Sequence, residues 1–251
     1  MYHETLNIKN RFSRSASTYL SHGNVQREIA KKLLTLCEKN HGRVLDVGAG
    51  CGFFSDLLRP FCEELFLLDI SHELLKEAQW HPHQRIQGDF NRIPFPNESL
   101  EGLGASMALQ WSLNPQETLE EWGRVLRPEG FLYLSLPLLG TFHELHEAGR
   151  EVNANKNHFF PLAHWQDFFD DTNFVIESAE EKKWCMNFSS MEQALHSVKA
   201  TGVSYVKSPH HRTLRGRGFL DAFKEAYENF LTPFGQWPLT YQIGFLKVRK
   251  K

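Results

Sequence analysis

Val44-Leu45-Asp46-Val47-Gly48-Ala49-Gly50-Cys51-Gly52 is the stretch on which the fold turns. An apolar run carries an acid, and three glycines at every second position follow at once. Arg43–Val47 reads as a short buried strand. Before it, Val25, Ile29, Leu33, Leu36 and Cys37 keep the spacing of one helical face. Glycines between a strand and a helix let the chain turn tightly and bring its backbone close to a ligand. A dinucleotide loop places its third glycine three residues after the second. Here the third comes two after it, and Phe53 stands where that fingerprint needs glycine. Asp46, on the strand itself, would repel a pyrophosphate but suits an ammonium group or a water beside one.

Working outward, Glu64-Leu65-Phe66-Leu67-Leu68-Asp69-Ile70 is a second apolar strand. A carboxylate at its tip, Asp69, can accept both hydroxyls of a ribose. Ser71 is a helix N-cap ahead of Leu74, Leu75 and Ala78. Arg85-Ile86-Gln87-Gly88-Asp89 is a short third strand, and Asp89 can accept the exocyclic amine of an adenine. Three acids on successive strand ends, with no phosphate-binding lysine, describe a ligand with an ammonium, a diol and an adenine amine. S-adenosylmethionine has all three and no phosphate.

The alternation continues. A weaker fourth strand spans Leu100–Met107, where Gly102 and Gly104 lower the propensity. Pro115 opens a helix to about Val125. Arg127-Pro128-Glu129-Gly130 is a turn, and Phe131–Leu136 is a fifth strand. Strands alternating with helices mean an α/β sheet, mostly parallel. Past Pro137 the rhythm breaks. Residues 138–172 read as a helical insert, Asn173–Glu180 as a sixth strand, 190–230 as mainly helical and Leu239–Val248 as a last strand.

The 251 residues carry 28 Lys+Arg against 30 Asp+Glu, a formal charge of −2. That balance disfavours a protein that coats nucleic acid. Cys37, Cys51, Cys62 and Cys185 form no C-x-x-C pair, which suggests reduced thiols and a cytoplasmic home. No apolar stretch approaches the ~18 residues of a spanning helix, so no membrane partner is expected. His143-Glu144-Leu145-His146 lacks the spacing of a zinc protease, and no metal is expected.

The order D-x-G-x-G-x-G, acidic strand end, Gly-Asp, then Arg124-Val125-Leu126-Arg127-Pro128-Glu129-Gly130 resembles the class I S-adenosylmethionine-dependent methyltransferases over residues ~25–137. The resemblance implies a Rossmann-like fold: a seven-stranded, mostly parallel sheet with an antiparallel last strand and helical lid insertions. It assigns cofactor binding to Asp46, Gly48, Ala49, Gly50, Gly52, Asp69, Ile70, Gly88, Asp89, Phe90, Ser106 and Met107. Three further segments look like the malonyl-acyl-carrier-protein O-methyltransferases of biotin synthesis. They are Phe12-Ser13-Arg14-Ser15-Ala16-Ser17-Thr18-Tyr19, Ser106-Met107-Ala108-Leu109-Gln110-Trp111, and Ala194–Gly202 with Pro238-Leu239-Thr240-Tyr241. Met107 stands where relatives usually have Asn, and Glu101 where Asp is common.

That resemblance implies methylation of the free carboxylate of a malonyl thioester. A carboxylate is already ionised near neutral pH, so no general base is expected. Positioning and exclusion of water would carry the catalysis, which calls for a lid. The chain then divides as one domain: a lid at 1–23, a cofactor-binding core at 24–137, the insert at 138–172, and C-terminal strands at 173–251 with a helical insertion at 190–230. Tyr19, Gln110, Trp111 and His158 are the expected substrate-positioning residues. Arg14, Arg150 and Lys156 are further cations in the lid segments. Lys182–Arg217 holds seven basic residues against one acid, while 1–181 is strongly acidic. Such a stretch suits docking of acidic acyl carrier protein, and no aromatic interleaving points to nucleic acid. The alternatives are methylation of a small free carboxylic acid or quinone on the same core, and a nucleoside-binding protein without catalysis.

Overall fold

The apolar runs become strands shielded on both faces, as a parallel sheet requires. The computed structural model describes residues 2–39, 41–78, 84–151, 159–170, 172–200 and 217–251. Seven strands form one sheet: β1 (His41–Val47), β2 (Cys62–Asp69), β3 (Arg85–Gln87), β4 (Leu100–Ser106), β5 (Leu126–Pro137), β6 (Phe174–Phe188) and β7 (Trp237–Lys250). Their order is β3-β2-β1-β4-β5-β7-β6. β7 runs antiparallel to both β5 and β6, so it alone opposes the other six.

Helices cover the sheet on both sides. On one face lie α2 (Asn24–Leu34), α3 (Phe53–Leu58) and α4 (His72–Glu77). Ile29, Leu33, Phe54, Leu58 and Leu75 from these pack on Val44, Leu67 and Phe245. On the other lie α5 (Pro115–Val125) and α7 (Leu162–Asp170), which bury Leu119, Trp122, Trp165 and Phe169 against Leu45, Leu103 and Leu134. Local chemistry sets the helix starts. Asn114 accepts from the Glu117 N–H with Pro115 next in line, and Ser71 accepts from the Leu74 N–H. A third cluster joins α6 (His143–Glu151), α8 (Met191–Ala200) and α9 (Arg217–Glu228) through Ala148, Met191, Ala194, Phe223 and Tyr227. α1 (Tyr2–His22) completes the helices.

Several boundaries differ from expectation for physical reasons. β4 is central despite its glycines. A Cβ at Gly104 would lie 2.5 Å from the Phe54 ring, so the glycine admits α3 onto the sheet. The Arg127–Gly130 turn lies inside β5. Pairing jumps from Leu100↔Leu126 to Gly102↔Phe131, so the residues between bulge from the ladder, with Glu129 at φ 63°. β6 extends well past Glu180, because β7 pairs with it along its whole length. As an edge strand β6 presents Glu181, Lys182 and Lys183 to solvent, which discourages edge pairing.

Candidate active site

The sheet order reverses between β1 and β4, and a crevice opens where their carboxyl ends part. The glycine loop fills the space above β1. Gly48, Gly50 and Gly52 have φ of 66°, 57° and 87°, a region costly for other residues. A Cβ at Gly48 would meet that of Ala108 at 2.6 Å, so this glycine lets the loop press on the turn after β4. At Gly50 the nearest atom to such a Cβ is Leu74 Cδ1 at 4.0 Å, which leaves the backbone open to a ligand. Ala49 N–H donates to Leu68 C=O at 3.1 Å and so ties the loop to β2.

Each acid has a partner within the chain. Asp46 is 1% exposed, and one oxygen, Oδ2, accepts from Ser55 Oγ at 2.5 Å. The other, Oδ1, has no hydrogen-bond partner among the described residues. Burial pushes this carboxyl up to about 7, against the pull of the Ser55 bond. Asp69 accepts from Gly50 N–H at 2.8 Å on Oδ2 and from Ser71 N–H at 2.7 Å on Oδ1. Burial raises it to about 6, and those two N–H bonds oppose the rise. Asp89 lies two residues beyond the end of β3, not on it, and its Oδ1 accepts from the Asn91 N–H and side-chain amide. Gly88 N–H donates to Asp69 C=O, which keeps the β2 and β3 ends together. Ile70 C=O accepts from Gln87 Nε2. Phe90 sets its ring edge-on to Trp122 and its C=O accepts from the indole N–H.

Past β4, Ser106 Oγ pairs with Ser135 Oγ at 3.2 Å. Met107 sits at φ 57°, its N–H donating to Ser135 C=O. Asn would tolerate this left-handed backbone far better than a bulky side chain does. Gln110 Nε2 donates back to Met107 C=O at 2.7 Å.

The N-terminal helix lies across the crevice. Phe12 meets Trp111 edge-on at 5.2 Å, and Tyr19 stacks on Phe53 at 5.8 Å. Ser13 Oγ pairs with Ser71 Oγ at 3.0 Å, and Thr18 Oγ1 donates to Ala200 C=O at 3.2 Å. Tyr19, Gln26, Asp46, Gly48, Phe53 and Met107 line one cavity under this helix. Burial drives the Tyr19 phenol well above its usual range, so it stays a neutral O–H donor. Arg27 lies 4.2 Å over Phe53 at the same rim.

Other expected residues fall elsewhere. Arg14 is exposed, and Arg150 pairs with Glu147 on the surface of α6. Lys156 and His158 lie outside the described residues, as do Lys207, Arg212 and Arg215 of the basic stretch. Sequence reasoning missed Gln26. Its one signal was a polar side chain adjoining the Val25–Ile29–Leu33 face.

The donor set fits S-adenosylmethionine. An unpartnered buried carboxylate oxygen faces a cavity beside a glycine cradle open at Gly50, and Asp69 keeps lone pairs for further donors. Cradle and sheet order together define a class I S-adenosylmethionine-dependent methyltransferase, and a family model described as a methyltransferase domain matches residues 45–134. The chain belongs, more narrowly, to the malonyl-[acyl-carrier protein] O-methyltransferase family. It is 30% identical over 239 residues to the enzyme of that name from Yersinia pestis, covering 93% of this chain and 87% of that protein. It is also 30% identical over 246 residues to the biotin biosynthesis bifunctional protein BioHC of Cellvibrio japonicus. There the match takes in 95% of this chain but 49% of the relative, so the chain spans about half of the bifunctional protein. Among solved structures, the YcgJ protein of Bacillus subtilis aligns with a TM-score of 0.60 at 18% identity, over 89% of this chain and 98% of that one. An S-adenosylmethionine-dependent methyltransferase from Mesorhizobium loti aligns at 0.51 and 13%, over 88% and 96%. At such identities the likeness is one of fold. Among the described residues no helix is long and apolar enough to cross a membrane.

Proposed function

We propose that the chain methylates the free carboxylate of a malonyl thioester carried on acyl carrier protein, in the cytoplasm, as an early step of biotin synthesis. The observation that carries this is where α1 lies, with Phe12 against Trp111 and Tyr19 on Phe53. The Phe12–Tyr19 segment, which resembles this family in sequence, is the one that lies over the glycine loop. S-adenosylmethionine, when bound, supplies an electrophilic methyl group on a sulfonium. Asp46, Gly48, Ala49, Gly50 and Gly52 would hold its amino-acid end. Asp69 and Ile70 would take the ribose, and Gly88, Asp89 and Phe90 the adenine. Ser106 and Met107 would close the side toward the substrate.

The remaining residues deal with the nucleophile. An ionised carboxylate is a poor nucleophile while hydrated, and a dry site needs donors to replace that water. Phe12, Trp111, Phe53 and the Tyr19 ring exclude water. The neutral Tyr19 O–H donates to one carboxylate oxygen and leaves the other to attack, Arg27 supplies positive charge at the rim, and Gln110 helps line the mouth. α1 suits a lid because few of its described side chains are fully buried. Ile8 and Ala16 are buried, against Val25, Ile29, Ala30 and Leu33 on the shorter α2.

Acidic carrier protein would dock on Lys182–Arg217. Lys199 is on α8, and Ala200, just before the undescribed part of that stretch, is bonded to the lid through Thr18. Docking there would meet the lid directly. The test is turnover of malonyl-carrier protein against acetyl-carrier protein and free malonate. Methyl ester formation on malonyl-carrier protein alone is expected. Equal turnover of the malonyl and acetyl forms, or of neither, refutes the proposal. Charge reversal at Arg212 and Arg215 should raise KM for the carrier substrate and leave S-adenosylhomocysteine affinity unchanged.

A further inference from the structure

Gln26 is a polar side chain on the inward face of α2, 6% exposed among Val25, Ile29 and Ala30. Its Oε1 is fully buried and has no hydrogen-bond partner among the described residues. An unmet buried acceptor costs about 1–3 kcal/mol, so such atoms call for an explanation. The same cavity holds a second one, Asp46 Oδ1. Two acceptors without donors, lining one small space, cannot satisfy each other while Asp46 is ionised. Whatever fills the space must bring donors. A hydroxyl brings one, and an ammonium brings three and also answers the carboxylate charge.

We propose that Gln26 is a cofactor-positioning residue, whose amide oxygen accepts from the α-ammonium of S-adenosylmethionine opposite Asp46. The ammonium is then gripped from two elements, the end of β1 and the helix behind the lid. The arrangement has a consequence for the lid. Gly23, just ahead of α2, has its Cα against the Phe53 ring, where a Cβ would lie 2.4 Å from Cε2. Phe53 in turn stacks on Tyr19. Ammonium binding to α2 therefore fixes the base on which the lid rests. The inference concerns cofactor alone and stands or falls independently of the acyl substrate.

The test measures binding by calorimetry, with no turnover involved. S-adenosylhomocysteine is compared with its analogue lacking the amino group, on the unaltered protein, Gln26→Met and Gln26→Glu. Losing one hydrogen bond to a charged group corresponds to about tenfold in affinity. Gln26→Met should weaken S-adenosylhomocysteine about tenfold and leave the deamino analogue within about twofold. Gln26→Glu keeps an acceptor in the same place and should hold the parent affinity or improve it. A Gln26→Met loss equal for both ligands would mark the residue as merely structural and overturn the proposal. So would a Gln26→Glu variant that binds S-adenosylhomocysteine worse than Gln26→Met does, since that outcome assigns Gln26 a donor.

Discussion

Gly50→Ala and Gly48→Ala should separate two reasons for a glycine, strain and room for a ligand. Both positions have positive φ, so either alanine carries a left-handed penalty of about 1 kcal/mol. At Gly50 little else changes, because the new methyl has only Leu74 Cδ1 near it, at 4.0 Å. For a chain of this size the melting temperature should fall by roughly 2–4 °C. At Gly48 the methyl would meet Ala108 Cβ at 2.6 Å, and Ala108 is itself 2% exposed in the turn after β4. Overpacking of that kind adds about 1–3 kcal/mol to the left-handed penalty, so the fall should be roughly 4–16 °C. Binding should show the reverse emphasis relative to stability. The Gly50 methyl points into the space a ligand needs, and S-adenosylhomocysteine should bind at least about tenfold more weakly with the fold nearly intact. Thermal melts and calorimetry on the two variants decide it. A Gly50→Ala protein that binds the ligand at full strength would show that no ligand approaches this backbone. A Gly50→Ala protein that melts as low as Gly48→Ala would refute the packing argument.

Four further outcomes follow from the geometry. Asp46 and Asp69 hold their protons to about 7 and about 6, above an ordinary 3.8, so the folded state binds protons that the unfolded chain has released. Their contribution to stability is complete below about pH 4 and is lost as pH rises through 6 to 7; ligand-free protein should lose stability over that window, Asp46→Asn should lose less, and equal pH profiles would refute the assignment. An ammonium ligand prefers ionised Asp46, so S-adenosylhomocysteine affinity should rise toward pH 7 and flatten above it, and an affinity flat from pH 5 to 8 counts against this. Met107→Asn should relieve part of the left-handed strain and raise the melting temperature by roughly 2–4 °C, a gain of about 1 kcal/mol, and a lower melting temperature would refute it. Glu144 accepts from Thr240 N–H at 2.9 Å and Thr240 Oγ1 at 2.6 Å, both buried, so Glu144→Ala should cost about 2–4 kcal/mol by chemical denaturation and Glu144→Gln less; equal losses would show that packing matters and the bonds do not.

How much was legible depended on how local the cause was. The glycine loop and β1, β2 and β5 could be read because apolar runs and glycine backbone freedom act within a few residues. Residues 1–23 could be read as a lid from the family resemblance, but not as one continuous helix with these partners. The position of α1 rests on Phe12 finding Trp111 and Ser13 finding Ser71, pairs that no window of sequence contains. Glu144 was legible only as part of a bland His143–His146 pair, while its partner, Thr240, lies on the last strand. Gln26 was hidden by its type, since a glutamine beside an apolar helical face is ordinarily a surface residue.

The three acids show why even a sound motif reading left their roles entangled. From sequence, a strand-end aspartate either caps the next helix or meets a ligand, as if these excluded one another. In the structure Asp69 braces Gly50 and the start of α4, Asp89 ties down Asn91, and Asp46 holds Ser55. A carboxylate oxygen has two lone pairs, so one that shapes a loop with the first keeps the second for a ligand. Both duties demand the same residue type at the same place, and spacing cannot divide them. Only the orphaned oxygen does. Among these three, Asp46 alone has a fully buried oxygen with no hydrogen-bond partner among the described residues. Its replacement by Asn should therefore separate the two duties most cleanly. Ser55 Oγ can still donate to the amide oxygen, so the fold is kept, while the charge that an ammonium would answer is gone.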